Sequence, residues 1–249
     1  MRIISRLDIK GHNLIKGVKF EGLRVLGCPI KSANFYYREG IDEILCIDTV
    51  ASLYGRNNAV NLVKEISKNV FLPITVCGGI RTIDDARNII KNGADKIAIN
   101  TAAVKNQNLI PELAEEFGSQ SIILSVEAKK TSPSEWEVYT NSGRDRTGLD
   151  VKYWIKKGVE LGAGSVLLTS IDRDGTQKGF DINLCTEIYN ICEAPLVISG
   201  GMGKIEDIIP IAEQFDLSGV AMGSALHYEN LKISKLKKQL LDIGCKIRK

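Results

Sequence analysis

Eight short runs of apolar, largely β-branched residues recur along the chain, and each is followed by a stretch with helical patterning. The runs lie at 2–9, 43–50, 73–79, 96–100, 121–128, 165–172, 195–201 and 218–224. They are almost continuously apolar, as is typical of parallel strands that are buried on both faces. Alternating strands and helices in this number predict an α/β fold, a (β/α)8 TIM barrel. An open doubly wound sheet is the alternative, but no G-x-G-x-x-G segment follows the first run.

Two of the helical stretches have recognisable ends. The stretch 82–93 begins with Thr82, and Asp85 stands three residues later, which nearly matches a capping box. The second stretch covers 108–118. Gly93 and Gly118 stand where glycines commonly end helices. We therefore expect a helix in each stretch.

An internal repeat supports the barrel. A shift of about 120 residues aligns segments of the first half with segments of the second half in the same order. The pairs are RLDIK with SVEAK, VCGGIRTIDD with ISGGMGKIED, DKIAINTA with SGVAMGSA, and Gly40 with Gly162. The repeat predicts one barrel over 1–249, built from two fused half-barrels at approximately 1–119 and 120–249.

Carboxylates stand at two of the predicted strand ends, where barrels of this kind place their chemistry. Asp8 ends the first strand and Glu127 ends the fifth, and the repeat places them opposite each other across the barrel mouth. A single acid at a strand end is commonly a salt-bridge or capping partner. An opposed pair is suited to general acid–base catalysis, once the two environments separate the pKa values.

Two sets of glycines and small polar residues predict two phosphate sites. One set is Gly78, Gly79, Asn100 and Thr101, and the other is Ser199, Gly200, Gly201, Gly223 and Ser224. Glycines let backbone amides approach an anion closely, and barrels commonly bind phosphate after strands seven and eight. Simple tight turns are the alternative explanation. Duplication of the set favours a long substrate with a phosphate at each end.

Composition excludes several classes of protein. The 249 residues are 44% hydrophobic and 25% charged, as in an ordinary globular protein, and the net charge of +3 gives no argument for nucleic acid or membrane partners. No apolar run reaches the ~20 residues of a membrane span, and no signal-peptide core follows the N-terminus, so we expect a cytoplasmic protein. Two histidines and scattered cysteines argue against a metal site, and no cofactor is expected.

Several long segments resemble HisF, the cyclase subunit of imidazole glycerol phosphate synthase, from near Arg2 to Tyr228. They include RLDIKGHNLIKGVKFEGLR, TVCGGIRTIDDAR, GADKIAINTAAVKN, WEVYTNSGRDRTG, ELGAGSVLLTSIDRDGT and VISGGMG. The resemblance implies a HisH-like glutaminase partner whose ammonia passes through the barrel core to the mouth. It further implies that this ammonia attacks a phosphoribulosyl formimino substrate, giving imidazole glycerol phosphate and an aminoimidazole carboxamide ribotide.

The resemblance also implies roles for individual residues. The catalytic positions are matched by Asp8, Glu127, Lys16, Thr169 and Asp174, with Lys16 expected in the loop after the first strand. Gly175 and Thr176 join the phosphate positions, beside Gly79, Asn100, Thr101, Gly201 and Ser224. Arg2, Glu43 and Lys96 match three members of a charged gate around an ammonia entrance at the opposite face.

Some positions depart from the family pattern. Glu127 replaces an aspartate, Ser165 replaces the glutamate that completes the gate, and Arg6 stands where a small residue is usual. The segment 49–58 also differs from the usual loop. These features resemble a paralogous branch that is associated with amidation or amidination of sugars in bacterial surface polysaccharides or flagellar glycans. Its members act beside a third, sugar-modifying protein.

Three interpretations follow from these observations. We expect first the paralogue, which serves sugar amidination, because of Glu127 and the segment 49–58. The second is a cyclase of histidine biosynthesis, favoured by the retained Asp8, Lys16 and both phosphate sets. The third is a scaffold without catalysis that docks a glutaminase and conducts ammonia, favoured by Ser165 and Glu127.

Overall fold

The computed structural model describes residues 1–51, 59–229 and 231–248. The strands in these ranges are β1 (Arg2–Lys10), β2 (Asn13–Val18), β3 (Glu21–Gly27), β4 (Glu43–Asp48), β5 (Ile74–Cys77), β6 (Lys96–Ile99), β7 (Ile122–Ser132), β8 (Glu135–Thr140), β9 (Asp145–Asp150), β10 (Ser165–Ser170), β11 (Leu196–Ser199) and β12 (Gly219–Met222). The helices are α1 (Pro29–Arg38), α2 (Ala59–Ser67), α3 (Ile83–Lys91), α4 (Thr101–Lys105), α5 (Leu109–Phe117), α6 (Val151–Glu160), α7 (Ile182–Tyr189), α8 (Ile209–Gln214), α9 (Ser224–His227) and α10 (Ile233–Asp242).

Eight parallel strands close into a barrel. They are β1, β4, β5, β6, β7, β10, β11 and β12, and each coincides with one of the predicted apolar runs. The first strand pairs with the last, Arg2 opposite Gly219, and β7 pairs with β10. Helices follow between the strands, so the predicted (β/α)8 barrel is confirmed and the open doubly wound sheet is wrong.

The strands bury side chains on both faces, which explains their continuous apolar pattern. Alternate residues such as Ile3, Leu7 and Ile44 belong to a large core shared with the surrounding helices. The residues between them point into the barrel. There they form a compact apolar layer, made of Ile4, Leu45, Ile47, Cys77, Ala98, Ile123, Leu167, Val197 and Ala221.

Two antiparallel hairpins were not predicted. The hairpin β2–β3 pairs with the extended end of β1, and β8–β9 pairs with the extended end of β7. Lys16, expected in a loop, lies on β2 and its side chain is buried. The sequence pattern concealed these strands because β3 is mostly exposed and its residues do not alternate. Each hairpin follows the first strand of a predicted half, which supports the proposed duplication.

The predicted helix ends are confirmed. Thr82 Oγ1 accepts a hydrogen bond from Asp85 N at 3.1 Å, and Asp85 Oδ2 accepts one from Thr82 N at 3.1 Å, so the capping box is complete. The helix ends at Lys91, and Gly93 follows with a φ of 111°. The second helix, α5, ends at Phe117, just before Gly118 with a φ of 80°.

The second half repeats part of this capping geometry. Asp207, which the repeat aligns with Asp85, accepts hydrogen bonds from Gly203 N at 2.8 Å and Lys204 N at 3.0 Å. Asp85 accepts from Arg81 N in the same way. Across the described ranges, every helix is too short or too polar to cross a membrane.

The packing of α6 allows a test of the core. Trp154 is fully buried, whereas the adjacent Tyr153 is 54% exposed. Trp154→Ala is expected to lower the free energy of unfolding by about 3–5 kcal/mol, because it leaves a cavity between helix and barrel. Tyr153→Ala, the matched control, should change it by less than about 0.5 kcal/mol. Urea unfolding measures both, and equal losses would contradict this packing.

Candidate functional site

Four buried charged side chains meet at the carboxyl end of the barrel. This mouth cluster consists of Arg6, Asp8, Lys16 and Asp174, each no more than 4% exposed. Arg6 Nε donates to Asp8 Oδ1 at 2.8 Å, and Lys16 Nζ donates to Asp8 Oδ2 at 2.7 Å. Lys16 Nζ also donates to both oxygens of Asp174, at 2.8 and 3.0 Å. Two cations therefore balance two carboxylates away from water.

Arg6 connects this cluster to the neighbouring strands. Its Nη1 donates to Ser199 Oγ at 3.1 Å and lies 3.5 Å from both Thr169 Oγ1 and Asp174 Oδ1. The ring of Phe20, in the turn between β2 and β3, covers the guanidinium at 5.4 Å. Predicted site residues on β1, β2, β10 and β11 are thus brought together around one arginine.

The surroundings of Asp8 keep it ionised. Burial alone would raise its pKa. The charges of Arg6 and Lys16, with their hydrogen bonds, outweigh burial and hold the pKa of Asp8 well below its ordinary value.

Glu127 lies in a different environment. Burial raises the pKa of Glu127 to about 7, against a hydrogen bond from Gly143 N to Oε2 at 2.8 Å and the charge of Arg6. Glu127 lines the same cavity as Arg6, Asp8 and Asp174, and it pairs with Thr169 across the strands. The pKa values of Asp8 and Glu127 are therefore shifted in opposite directions, as an acid–base pair requires.

The first predicted phosphate set lines one pocket. Gly78, Gly79, Asn100 and Thr101 surround about 650 Å³ of space, counting the open mouth of the pocket, and Glu127 lies on one side of it. Gly78 has a φ of 99°, and a Cβ there would lie 2.5 Å from the carbonyl oxygen of Asp48. Only glycine fits this close turn, so its backbone remains open to the pocket.

The second set lines another pocket. Gly175, Ser199, Gly200, Gly201, Gly223 and Ser224 all take part, together with Lys16 and Asp174 of the mouth cluster. The Ser224 hydroxyl is buried and has no hydrogen-bond partner in the described part of the chain. Thr176 is not among the lining residues, and its hydroxyl donates to Arg173 O at 2.7 Å. A contact between Thr176 and an anion therefore stays a prediction.

The two pockets are joined through the mouth. The central cavity shares Glu127 with the first pocket and Asp174 with the second. Asp8 and Glu127 line this central cavity, and the pockets at its two ends offer glycine backbone and small polar side chains. This layout suits an elongated substrate that carries an anionic group at each end and reacts in the middle.

Sequence reasoning missed several residues of the site. Arg6 was noted only as a departure, although it contacts both carboxylates of the cluster. Arg81 and Lys105 bring positive charge to the first pocket, and Asp48 lines it with an Oδ2 that has no partner among described residues. Burial raises the pKa of Asp48. The sequence did contain signals for these residues. Asp48 lies at the end of β4, and Arg81 and Lys105 closely follow the predicted glycine and asparagine positions.

The predicted gate residues meet at the amino end of the barrel. Glu43 forms ion pairs with Arg2 and with Lys96, the latter at 3.3 Å, and Thr75 Oγ1 donates to it at 2.7 Å. Ser165 supplies no second carboxylate, so two cations share one acid. The segment 49–58 falls largely outside the described residues, which resume at 59. Within the described ranges, no group of three His, Cys, Asp or Glu side chains has the geometry of a metal site.

Comparison with known proteins agrees with the geometry. Residues 2–232 match the family profile described as histidine biosynthesis protein. A relative from Legionella pneumophila, named imidazole glycerol phosphate synthase subunit HisF, is 56% identical over 207 residues, covering 83% of this chain and 98% of the relative. Relatives of the same name from Streptococcus mutans and Natranaerobius thermophilus are 39% and 40% identical over 247 residues, 99% of this chain and 98% of each relative.

The unpartnered Ser224 hydroxyl allows a test of the second pocket. Ser224→Ala should weaken binding of inorganic phosphate about 10-fold or more, because a hydrogen bond to a charged group contributes about 1.5–3 kcal/mol. Ser5→Ala is the matched control, since the Ser5 hydroxyl is also buried without a described partner but does not line the pocket. Calorimetric titration measures both. Equal phosphate affinities of the two variants would show that the Ser224 hydroxyl does not contact the anion.

Proposed function

The chain belongs to the histidine biosynthesis protein family, within its HisF group, and from this premise we propose that it is the cyclase subunit of an imidazole glycerol phosphate synthase. HisF relatives are enzyme subunits, and their names favour the second of the three interpretations. Sugar amidination, which we expected first, gains no support from them. The observation that carries the proposal is the acid–base cavity placed between two anion pockets.

In the proposed reaction the two pockets hold the two phosphates of the substrate. The reacting carbons then lie in the central cavity, beside Asp8 and Glu127. The ammonia nitrogen forms two C–N bonds, one to the ribulosyl carbonyl carbon, whose oxygen leaves as water, and one to the formimino carbon, whose C–N bond to the departing carboxamide breaks. Protons must therefore pass from the incoming nitrogen to the leaving oxygen and to the leaving nitrogen. Anchoring at both ends and proton transfer supply the catalysis, with no cofactor required.

The two carboxylates have separate tasks in this proposal. Asp8, whose pKa is held low, stays ionised and stabilises positive charge on the ammonia-derived nitrogen. Glu127, whose pKa burial raises to about 7, can both give and take a proton near neutral pH and exchanges protons with the reacting nitrogens. Lys16 fixes Asp8 and Asp174, and Thr169 lies beside Arg6.

A HisH-like glutaminase is the proposed partner and source of ammonia. The ring of Arg2, Glu43 and Lys96 at the amino end of the barrel gives it a charged docking point. From there ammonia would pass between the side chains of the apolar layer, where Ala98, Ala221 and Cys77 are small. The opposite placement of gate and acid–base cavity suits delivery of ammonia without release to solvent.

A second candidate function rests on two residues. Glu127 reaches further than an aspartate, and Ser165 leaves the gate with a single carboxylate. Both differences suit a barrel that passes ammonia to another acceptor, a surface-glycan sugar, beside a third protein. The intact mouth cluster argues against the scaffold without catalysis, because four buried charges are costly to retain without use.

The decisive experiment is turnover of the formimino substrate with an ammonium salt in place of the glutaminase. This isolates the chemistry of the barrel from docking. A rate of about 1 per second or faster is expected for the cyclase. Binding of the substrate without turnover would overturn the proposal and favour the second candidate.

Asp8→Asn is expected to abolish this turnover, because a neutral amide cannot stabilise the developing positive charge. Binding of a bisphosphate ligand should remain within a few-fold, since Asp8 lines neither anion pocket. Asp84→Asn, an exposed acid on α3, is the control and should leave both unchanged. Full activity of Asp8→Asn would refute the assignment.

Glu127→Asp distinguishes the two candidates. Shortening the side chain moves the carboxylate by about 1 Å, a displacement that can cost on the order of 100-fold in rate. A cyclase adapted to Glu127 should therefore lose turnover of the formimino substrate. A sharp gain would instead mean that the longer side chain serves a different acceptor.

A further inference from the structure

We propose that Arg6 is a positioning residue that holds Asp8 as a fixed ionised group, so that Glu127, which has no such counter-ion, serves as the proton donor. The inference rests on the proposed function and deepens it. The sequence pattern alone assigns no role to Arg6.

The internal repeat shows that the barrel itself does not require an arginine here. The segment RLDIK aligns with SVEAK, so Arg6 corresponds to Ser125 and Asp8 to Glu127. Both residues are buried on the inner side of equivalent strands. A large cation in one half and a small hydroxyl in the other therefore break the two-fold symmetry of the mouth.

The contacts of the two acids differ accordingly. Each oxygen of Asp8 accepts a hydrogen bond from a buried cation, Arg6 at 2.8 Å and Lys16 at 2.7 Å. Glu127 forms no ion pair within 4.0 Å with any described residue. Its Oε2 accepts a backbone N–H from Gly143, and a hydrogen bond from the Asn100 side chain also acts on its carboxylate. Asp8 is therefore fixed between two cations, whereas the hydrogen bonds to Glu127 come from neutral groups.

Arg6 is itself held firmly enough to impose this difference. Its guanidinium contacts Asp8, Asp174 and Ser199, and the ring of Phe20 lies over it. The chain therefore fixes Arg6 from β1, β11, the loop after β10 and the β2–β3 turn. A guanidinium keeps its charge throughout the accessible pH range, so Asp8 faces a permanent counter-ion.

The other charges that face Glu127 do not change this assignment. In the central cavity they are Arg6, Asp8, Arg144 and Asp174. In the first pocket they are Asp48, Arg81 and Lys105. Among the causes that act on the pKa of Glu127, burial raises it most, Arg6 lowers it and Asp174 raises it. Loss of Arg6 removes a lowering charge and unmasks Asp174, so both effects shift the titration of Glu127 upward.

The protons balance when the ammonia-derived nitrogen replaces the departing nitrogen. The Glu127 carboxyl gives its proton to the departing nitrogen as the C–N bond breaks. The resulting carboxylate then takes a proton from the ammonia-derived nitrogen, which returns Glu127 to its starting state. Asp8 stays ionised throughout and gains no proton.

The first test uses the ligand-free protein and needs no substrate. Carbon-13 NMR of labelled carboxyl groups follows the titration of Glu127, identified by its loss in Glu127→Gln. In the wild type Glu127 should titrate near pH 7, while Asp8 shows no titration above pH 4. Titration of Glu127 below pH 5, or of Asp8 in the neutral range, would overturn the proposal.

Variants of Arg6 then test how this residue affects the titration of the carboxylates. Arg6→Ser, which copies the residue of the other half, should raise the titration of Asp8, which loses a direct ion pair, by more than that of Glu127, which should rise by on the order of one pH unit. Arg6→Lys keeps the charge and should restore the wild-type value. A titration that does not move in a folded Arg6→Ser would overturn the proposal. If that variant does not fold, Arg6→Gln, which removes the charge but keeps most of the side chain, takes its place in the same titration.

Turnover supplies the second test, with the concentration of free ammonia held constant at each pH. Because Glu127 must be protonated, kcat should fall as the pH rises through about 7 in the wild type. In Arg6→Ser this fall should move to higher pH together with the NMR titration, whereas a purely structural loss would lower kcat without moving it. Absence of all wild-type turnover would refute the proposed function, while the NMR titration would still decide the role of Arg6.

Discussion

The mutual neutralisation of buried charges at the mouth is the interaction on which the rest of the site depends. Asp8 and Asp174 lie away from water, where an unpaired carboxylate costs several kcal/mol, and Arg6 with Lys16 offsets that cost. The same contacts tie β1 to β2 and to the loop after β10. Removal of any one member leaves the other three with an unbalanced charge in a buried site, so the four residues depend on one another.

The frame of the site could be predicted from the sequence because it follows from periodicity. Strands buried on both faces produce continuous apolar runs, and strand ends such as Asp8 and Glu127 then fall at the mouth. Both glycine sets were found because close turns such as that of Gly78 exclude side chains, which restricts the residue type. These are local constraints, so they leave local signals.

The features of the site that could not be predicted depend on contacts between segments that are distant in the chain. Lys16 reaches Asp174 across 158 positions of the chain, and nothing in the residues around Lys16 indicates a strand or a buried ammonium. Arg6 was visible only as an unusual residue, because its partners Ser199 and Asp174 come from the other half. Thr176, by contrast, matches the motif, but its hydroxyl donates to the carbonyl oxygen of Arg173 in its own loop. The acceptor molecule leaves no local signal either, and sugar amidination, the first expectation, gains no support from the names of the relatives.

The apolar layer across the barrel has a consequence for what can reach the mouth from the gate. A ring of aliphatic and alanine side chains offers no partner to an ion, so ammonium would lose its hydration without replacement there. Neutral ammonia crosses such a layer at far smaller cost. In the proposed function the barrel would therefore act as a charge filter that passes nitrogen only with its lone pair free. Nitrogen that arrives by this route is already a nucleophile, and no group at the mouth has to deprotonate it first.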